Sequence, residues 1–152
     1  MNDLFDSEFY NFNYNSTPFT RVEVPYGEYE AKLLDVNLKP SKQGKPMLSV
    51  KFEIVGVYNE ANKHVLNQYH WINLVVLNSK DLSDKKNRFC FERAVDTLKD
   101  FGYTGDIKNL KDISDAVDSI KQSLEIHQPV YGIEVCDERG YKVTEIGAQL
   151  ED

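Results

Sequence analysis

Four lysines in thirteen residues, Lys39, Lys42, Lys45 and Lys51 of the run KPSKQGKPMLSVK, stand together with no acid among them. Ammonium groups grouped in this way on a turn and the strand after it suit phosphates, which carry charge at regular intervals along nucleic acid. Rings that would complement them come later: Tyr69 and Trp71 alternate in QYHWI, and Arg139, Tyr141 and Lys142 cluster in ERGYK. Cations that follow phosphates and rings that stack on bases together hold single-stranded nucleic acid, each stacked base contributing roughly 1–3 kcal/mol. Stacking accepts every base, so no sequence specificity follows. The same residues also have an ordinary reading. A Lys- and Gly-rich turn is often a solvated connection, and Tyr69 and Trp71 would serve equally well inside a core, because alternation does not say which face is inward.

The surroundings of the lysines sharpen the contrast. The whole chain of 152 residues carries a formal net charge of −7, with two basic against seven acidic side chains in residues 1–38 and eleven against sixteen in residues 80–152. That balance argues against coating a duplex by overall charge. It leaves room for a local binding surface, because a cleft or hairpin can concentrate one sign. Catalytic patterns are missing: there is no glycine-rich phosphate loop opening a helix, no Gly-x-Ser-x-Gly turn and no His-Glu-x-x-His pair. Asp81, Asp84, Glu92, Asp96 and Asp100 are interspersed with lysines along a helical pattern and read as a solvated face. A non-catalytic protein without metal or cofactor is expected.

His64, His70 and His127 form no ligand set, and Cys90 and Cys136 lie 46 residues apart without a metal-binding neighbour, so neither a metal site nor a disulfide is expected. No apolar run reaches membrane-spanning length, and the opening MNDLFDSEFYNF lacks the basic and then apolar order of a secretory signal. A soluble, cytoplasmic protein is the expectation. The closing Glu151 and Asp152 are read as a frayed tip without a role.

The elements that must position the lysines and rings follow from periodicity. Residues 1–20 form an aromatic arm in which Tyr10, Phe12 and Tyr14 alternate with Asn11, Asn13 and Asn15 and which contains no Lys or Arg. Packing across the domain or onto a second copy, giving a homo-oligomer, suits it better than stacking on bases. Residues 21–152 form a single domain. In its first strand Tyr29, Ala31 and Leu33 alternate, and then Leu34, Val36 and Leu38 alternate in the opposite phase, which predicts a β-bulge and a bent strand. The second strand sets Leu48, Val50, Phe52 and Ile54 against Met47, Ser49, Lys51 and Glu53, and a third runs through VLNQYHWINLVV. Two amphipathic helices follow, in RFCFERAVDTLKDFG and NLKDISDAVDSIKQSLEIHQP, and the chain closes with two strands joined at DERG. Mainly β with a helical insertion between strands three and four, three strands plus two, is the element order of an OB-like five-stranded barrel. In that fold the binding surface lies on strands two and three, framed by the loops that hold Lys39, Lys42 and Lys45 at one side and Arg139, Tyr141 and Lys142 at the other.

Pro25, Gly27 and Tyr29 before a bent strand, the turn from Lys39 to Lys45, the strand from Leu48 to Val55 and the closing run from Val130 to Val135 resemble a group of phage single-stranded DNA-binding proteins with an OB-type core. The resemblance spans roughly residues 22–147. It implies binding of single-stranded DNA in phage replication or recombination, with proteins of those processes as partners and the host cytoplasm as the location. An acidic tail expected of many such proteins is nearly absent, and the aromatic arm lies outside the pattern. The rival expectation is a phage inhibitor of a host nuclease or defence complex that works through its acidic surface.

Overall fold

The computed structural model describes residues 23–81 and 83–150. The aromatic arm lies outside the described residues. Five strands and two helices follow in order: β1 Gly27–Pro40, β2 Pro46–Val57, β3 Tyr69–Val75, α1 Lys85–Asp100, α2 Leu110–Ile126, β4 Val130–Glu138 and β5 Tyr141–Leu150. The strands make one antiparallel sheet in the order β3-β2-β1-β4-β5. The chain is therefore mainly β with a helical insertion between the third and fourth strands, as its periodicity implies.

The phase change in β1 is a bulge. Leu33 pairs with Phe52 and Asp35 with Lys51, so Leu34 has no partner on β2, and the buried set passes from Tyr29, Ala31 and Leu33 to Val36. A second slip, between Glu30 and Ala31, skips Val55 on β2. Two irregularities in one ladder bend β1, which pairs with β4 from Gly27 to Lys32 and with β2 from Tyr29 to Pro40. On β2 the alternation holds, with Leu48, Val50, Phe52 and Ile54 fully buried, although Ser49 on the opposite face is also covered.

Helices α1 and α2 supply the other side of the core. Asp84 caps α1 by accepting a hydrogen bond from the Lys86 N–H, and Asn109 caps α2 through the Asp112 N–H. Gly102, at φ +93°, closes α1 in a left-handed conformation that suits glycine. Ala94 and Leu98 of α1 and Ile113, Ala116, Val117, Ile120 and Leu124 of α2 are buried in one cluster with the inner residues of the sheet. Phe101 meets Phe52 edge-on at 6.0 Å and Tyr131 at 5.5 Å, joining helix to both halves of the sheet.

Two boundaries differ from expectation. The apolar Val65 belongs to a short 3-10 helix, Glu60–Val65, whose first N–H groups are met by Asn59, so β3 begins only at Tyr69. Helix α1 starts at Lys85, before the apolar stripe, because its cap is at Asp84. The expected closed barrel is not what the strands form: they make an open five-stranded sheet, with no ladder between β3 and β5 among the described residues. A side-chain hydrogen bond crosses that seam, His70 Nε2 to Thr144 Oγ1 at 2.8 Å. Among the described residues no helix is long and apolar enough to cross a membrane.

Candidate nucleic-acid interface

Pairing with β2 decides the orientation that alternation in β3 leaves open. Lys51 stands opposite Trp71 and Glu53 opposite Tyr69, while Phe52 faces His70 and Val50 faces Ile72. Phe52, Val50 and Ile72 are core residues, so Tyr69 and Trp71 share the outer face with Lys51. Tyr69 is 47% exposed. The two rings meet edge-on at 5.7 Å, and the Lys51 ammonium lies 4.1 Å from the centre of the Tyr69 ring and 5.5 Å from that of Trp71. One cation and two rings thus form a single cluster, with the charge attracted by the negative ring faces.

Lys51 is also released from its cross-strand neighbour. Asp35 stands beside it on β1, yet the Asp35 carboxylate accepts hydrogen bonds from the Val36 N–H at 2.9 Å, the Asn37 amide at 2.8 Å and Lys121 Nζ at 3.3 Å. Lys121 of α2 also donates to Asn37 Oδ1. The acid nearest in register is already occupied by three donors.

Lys39 belongs to the same face. It pairs with Met47, which has the outward parity of Lys51, and four residues along a strand correspond to roughly 13 Å. The turn beyond it is held in shape rather than slack. Ser41 Oγ accepts from the N–H groups of Gln43 and Lys45, Ser41 N–H donates to the Lys45 carbonyl at 2.8 Å, and Gly44 takes φ +78° at the tip. Lys42 projects exposed from this turn. Lys45 points elsewhere: its ammonium donates to Asn78 Oδ1 at 3.1 Å, beside the segment that the buried Asn87 amide pins to the start of α1.

The residues of the last hairpin separate into two groups. Arg139 and Gly140 both take positive φ, 53° and 87°, as a two-residue type I′ turn requires. Arg139 is exposed at this tip, and Tyr141 is 75% exposed beside it. Lys142 instead folds back. Its ammonium pairs with Glu23 Oε1 at 2.9 Å and lies 5.6 Å from the centre of the Tyr26 ring. That hydrogen bond and charge hold the Glu23 carboxyl below its ordinary range. Lys142 and the Lys51 cluster approach the same seam, because His70, between Tyr69 and Trp71 in the chain, bonds Thr144, two residues from Lys142. Burial, with a smaller contribution from the Lys142 charge, lowers His70 to about 4, so the ring that bridges the seam is neutral at pH 7.

Of the nine residues singled out in the sequence, the structure gathers Lys51, Tyr69 and Trp71 tightly, sets Lys39 and Lys42 at the far end of their face and Lys142 at the seam, and leaves Arg139 and Tyr141 on the hairpin and Lys45 turned to Asn78. Tyr26 was not among them, although it supplies the ring beneath Lys142. The two lie 116 positions apart, and only its exposed aromatic character next to Pro25 hints at a surface role. Among the described residues no group of three or more His, Cys, Asp or Glu is arranged to hold a metal ion.

The other half of the sheet carries the opposite sign. Glu28, Glu134 and Glu145 stand side by side across β1, β4 and β5, and none forms an ion pair among the described residues. Tyr58 stands beside them, its hydroxyl pushed up by desolvation and then by the Glu30 charge. No family model matches the chain, and no curated protein matches it.

Proposed function

We propose that this protein is a non-catalytic binder of single-stranded DNA, without sequence preference, on an OB-like barrel whose β3 and β5 edges meet at the His70–Thr144 seam. The observation that carries the reading is the Lys51–Tyr69–Trp71 cluster on the outer face of β2 and β3. A strand laid over this face draws the Lys51 ammonium onto a phosphate and leaves the Tyr69 ring open for a base. Lys39 and Lys42 at one end and Lys142 at the other continue the phosphate path, with Tyr26, Arg139 and Tyr141 at its margin. The resemblance to phage single-stranded DNA-binding proteins supports the same reading, with a role in replication or recombination in the host cytoplasm as part of the proposal.

Fluorescence anisotropy with labelled oligo(dT) at two salt concentrations tests it. Binding that weakens as salt rises is expected. No binding at low salt would remove DNA as the ligand.

A second reading has its own observation, the unpaired row Glu28, Glu134 and Glu145. Regularly spaced carboxylates on a sheet suit a basic protein surface, as a phage inhibitor of a host nuclease or defence complex would require. Its signature is failure to bind DNA together with salt-sensitive association with a basic protein, and it is lost on neutralising the row.

A further inference from the structure

Away from the outer face, a cavity of about 320 Å³ opens on the helix-covered side of the sheet. Its floor is apolar: Leu33 of β1, Phe101 after α1 and Ile120 and Leu124 of α2, all buried. The Leu33 N–H donates to the Pro129 carbonyl at 2.9 Å, which ties the connection from α2 to β4 in place as one wall. Tyr131 of β4 is the unusual member of the lining. It is 2% exposed, yet its hydroxyl has no hydrogen-bond partner among the described residues. No fully enclosed polar side-chain atom goes unpaired among them, so this hydroxyl opens to the cavity. An interior tyrosine ordinarily finds a partner for its O–H, and here the partner is left for a ligand to supply.

The remaining groups narrow the ligand. No Lys, Arg, Asp or Glu lines the cavity, and the Asp100 charge bears on Tyr131, so an anion finds nothing to pair with. Burial and then that charge push the Tyr131 hydroxyl up, which keeps it a donor at neutral pH. Around the mouth stand groups that both give and accept. Ser119 and Ser123 lie one turn apart on α2, and Gln149 stands opposite Tyr131 in the β4–β5 ladder and so shares its side of the sheet. Ser123 Oγ donates to the Ser119 carbonyl at 3.2 Å and keeps its lone pairs for an outside donor. The volume is at the lower end of small-molecule sites and suits one ring system rather than an extended chain. An uncharged heteroaromatic ring with donors and acceptors along its edge meets all these conditions, and that is the chemistry of a nucleobase. We propose that this cavity binds the base of a free, uncharged nucleoside, its faces on the apolar floor and a carbonyl or ring nitrogen accepting from the Tyr131 O–H. A base belonging to a strand is the poorer occupant, since no lining cation would hold its phosphates. The site is independent of the DNA-binding reading, which concerns the other face.

The experiment titrates the full chain with thymidine, adenosine and thymidine monophosphate, read by saturation-transfer NMR. Two variants accompany it: Tyr131→Phe, which removes only the hydroxyl from a buried ring, and Ser123→Leu, which fills the mouth from an exposed helix position. Circular dichroism with thermal melting checks their folding. At least one nucleoside is expected to bind with a Kd of about 1 mM or tighter. Thymidine monophosphate should bind more weakly than thymidine. Tyr131→Phe should weaken the nucleoside about fivefold, as loss of one hydrogen bond does, and Ser123→Leu by more than about tenfold. Absence of binding by both nucleosides, or tighter binding of the monophosphate, would overturn the proposal. So would an unchanged affinity in Tyr131→Phe; should that variant not fold, Ser123→Leu decides in its place. Displacement of the nucleoside by oligo(dT) would make a strand's base the occupant, which also overturns it. DNA affinity is read separately by anisotropy, so failure of the DNA-binding reading leaves the nucleoside result standing.

Discussion

Both ends of β1 lie on the outer face of one sheet, yet they face opposite chemistries. Around Glu28 the neighbours across the strands are Glu134 and Glu145, whereas Asp35 and Lys39 at the other end are followed across β2 and β3 by Lys51, Met47 and Trp71. The acids are left without ion pairs among the described residues, while Asp35, the acid paired with Lys51 across the strands, is neutralised by Lys121. A net charge of −7 therefore misleads about either half taken alone. What distinguishes the halves is the supply of counter-charge: α2 reaches the cationic half with Lys121, and no described cation reaches the acidic row. The Tyr69–Trp71 pair falls on the cationic half as well, whereas the acidic row has Tyr58 beside it, so the two halves predict different ligands rather than different strengths for one ligand.

The strongest way to break the comparison is to remove the rings. Tyr69→Ala with Trp71→Ala should weaken oligo(dT) binding by roughly 2–6 kcal/mol if each ring stacks on one base, upwards of about thirtyfold. Anisotropy at fixed salt measures it, and circular dichroism with thermal melting checks that the fold is kept. Affinity within about twofold of the unaltered protein would move the DNA off this face.

How far the sequence foretold these halves depends on which physical signal each residue carried. On β2 one face is wholly apolar and the other polar, so Leu48, Val50, Phe52 and Ile54 announced their burial, and the opposite-phase run in β1 announced its bulge. On β3 both faces carry large side chains: Tyr69 and Trp71 on one, His70, Ile72 and Leu74 on the other. Hydrophobicity could not rank them there, and only the pairing of Lys51 with Trp71 does. Val65 was drawn into the strand because an apolar residue looks alike in a strand and in a 3-10 turn; the Asn59 cap decides between them. The contacts of Lys142 with Glu23 and Tyr26 depend on how the sheet curls, a long-range outcome that no local pattern records. Lys45 matched the charge pattern but was claimed by Asn78, since composition cannot tell which ammonium groups find an internal partner.

The seam between β3 and β5 offers the next test, because it brings the Lys142 charge to bear on His70. His70 titrates at about 4 in the fold, below its ordinary value of 6.5. Above pH 6.5 both folded and unfolded chains hold the ring neutral, so it adds no pH dependence. As pH falls from 6.5 towards 4 the unfolded chain takes up a proton that the folded chain refuses, and stability declines. Below about 4 both are protonated and the loss stops, with a ceiling of about 3 kcal/mol. Denaturant unfolding at pH 7 and pH 4.5 should show this decline, and His70→Gln should remove most of it. An unchanged pH dependence in the variant would mean that the seam does not hold a neutral histidine.

Within the cationic half, the loop lysines should rank by their freedom. Lys42→Ala removes an exposed ammonium and should reduce the slope of log affinity against log salt by about 0.7, the value for one phosphate on a single strand. Lys45→Ala, whose ammonium already has Asn78 as a partner, should change that slope less. Equal losses at the two positions would show that Lys45 leaves Asn78 when DNA binds.

The smallest effect belongs to the acidic half and concerns stability rather than binding. Glu134 is flanked in register by Glu28 on β1 and Glu145 on β5, and like charges directly opposite each other in a sheet are destabilising. Glu134→Gln removes the central charge and relieves both neighbours while keeping the side-chain shape, so it should stabilise the fold by roughly 0.5 kcal/mol. Its gain should shrink as salt is added, because exposed charges are screened over about 10 Å at 0.1 M salt. Replacing either flank, Glu28→Gln or Glu145→Gln, should gain less, since each removes only one close pairing. If Glu134→Gln lowered stability instead, the row would have to be held by a cation or a basic partner in solution, and the acidic half would become the better place to look for a ligand.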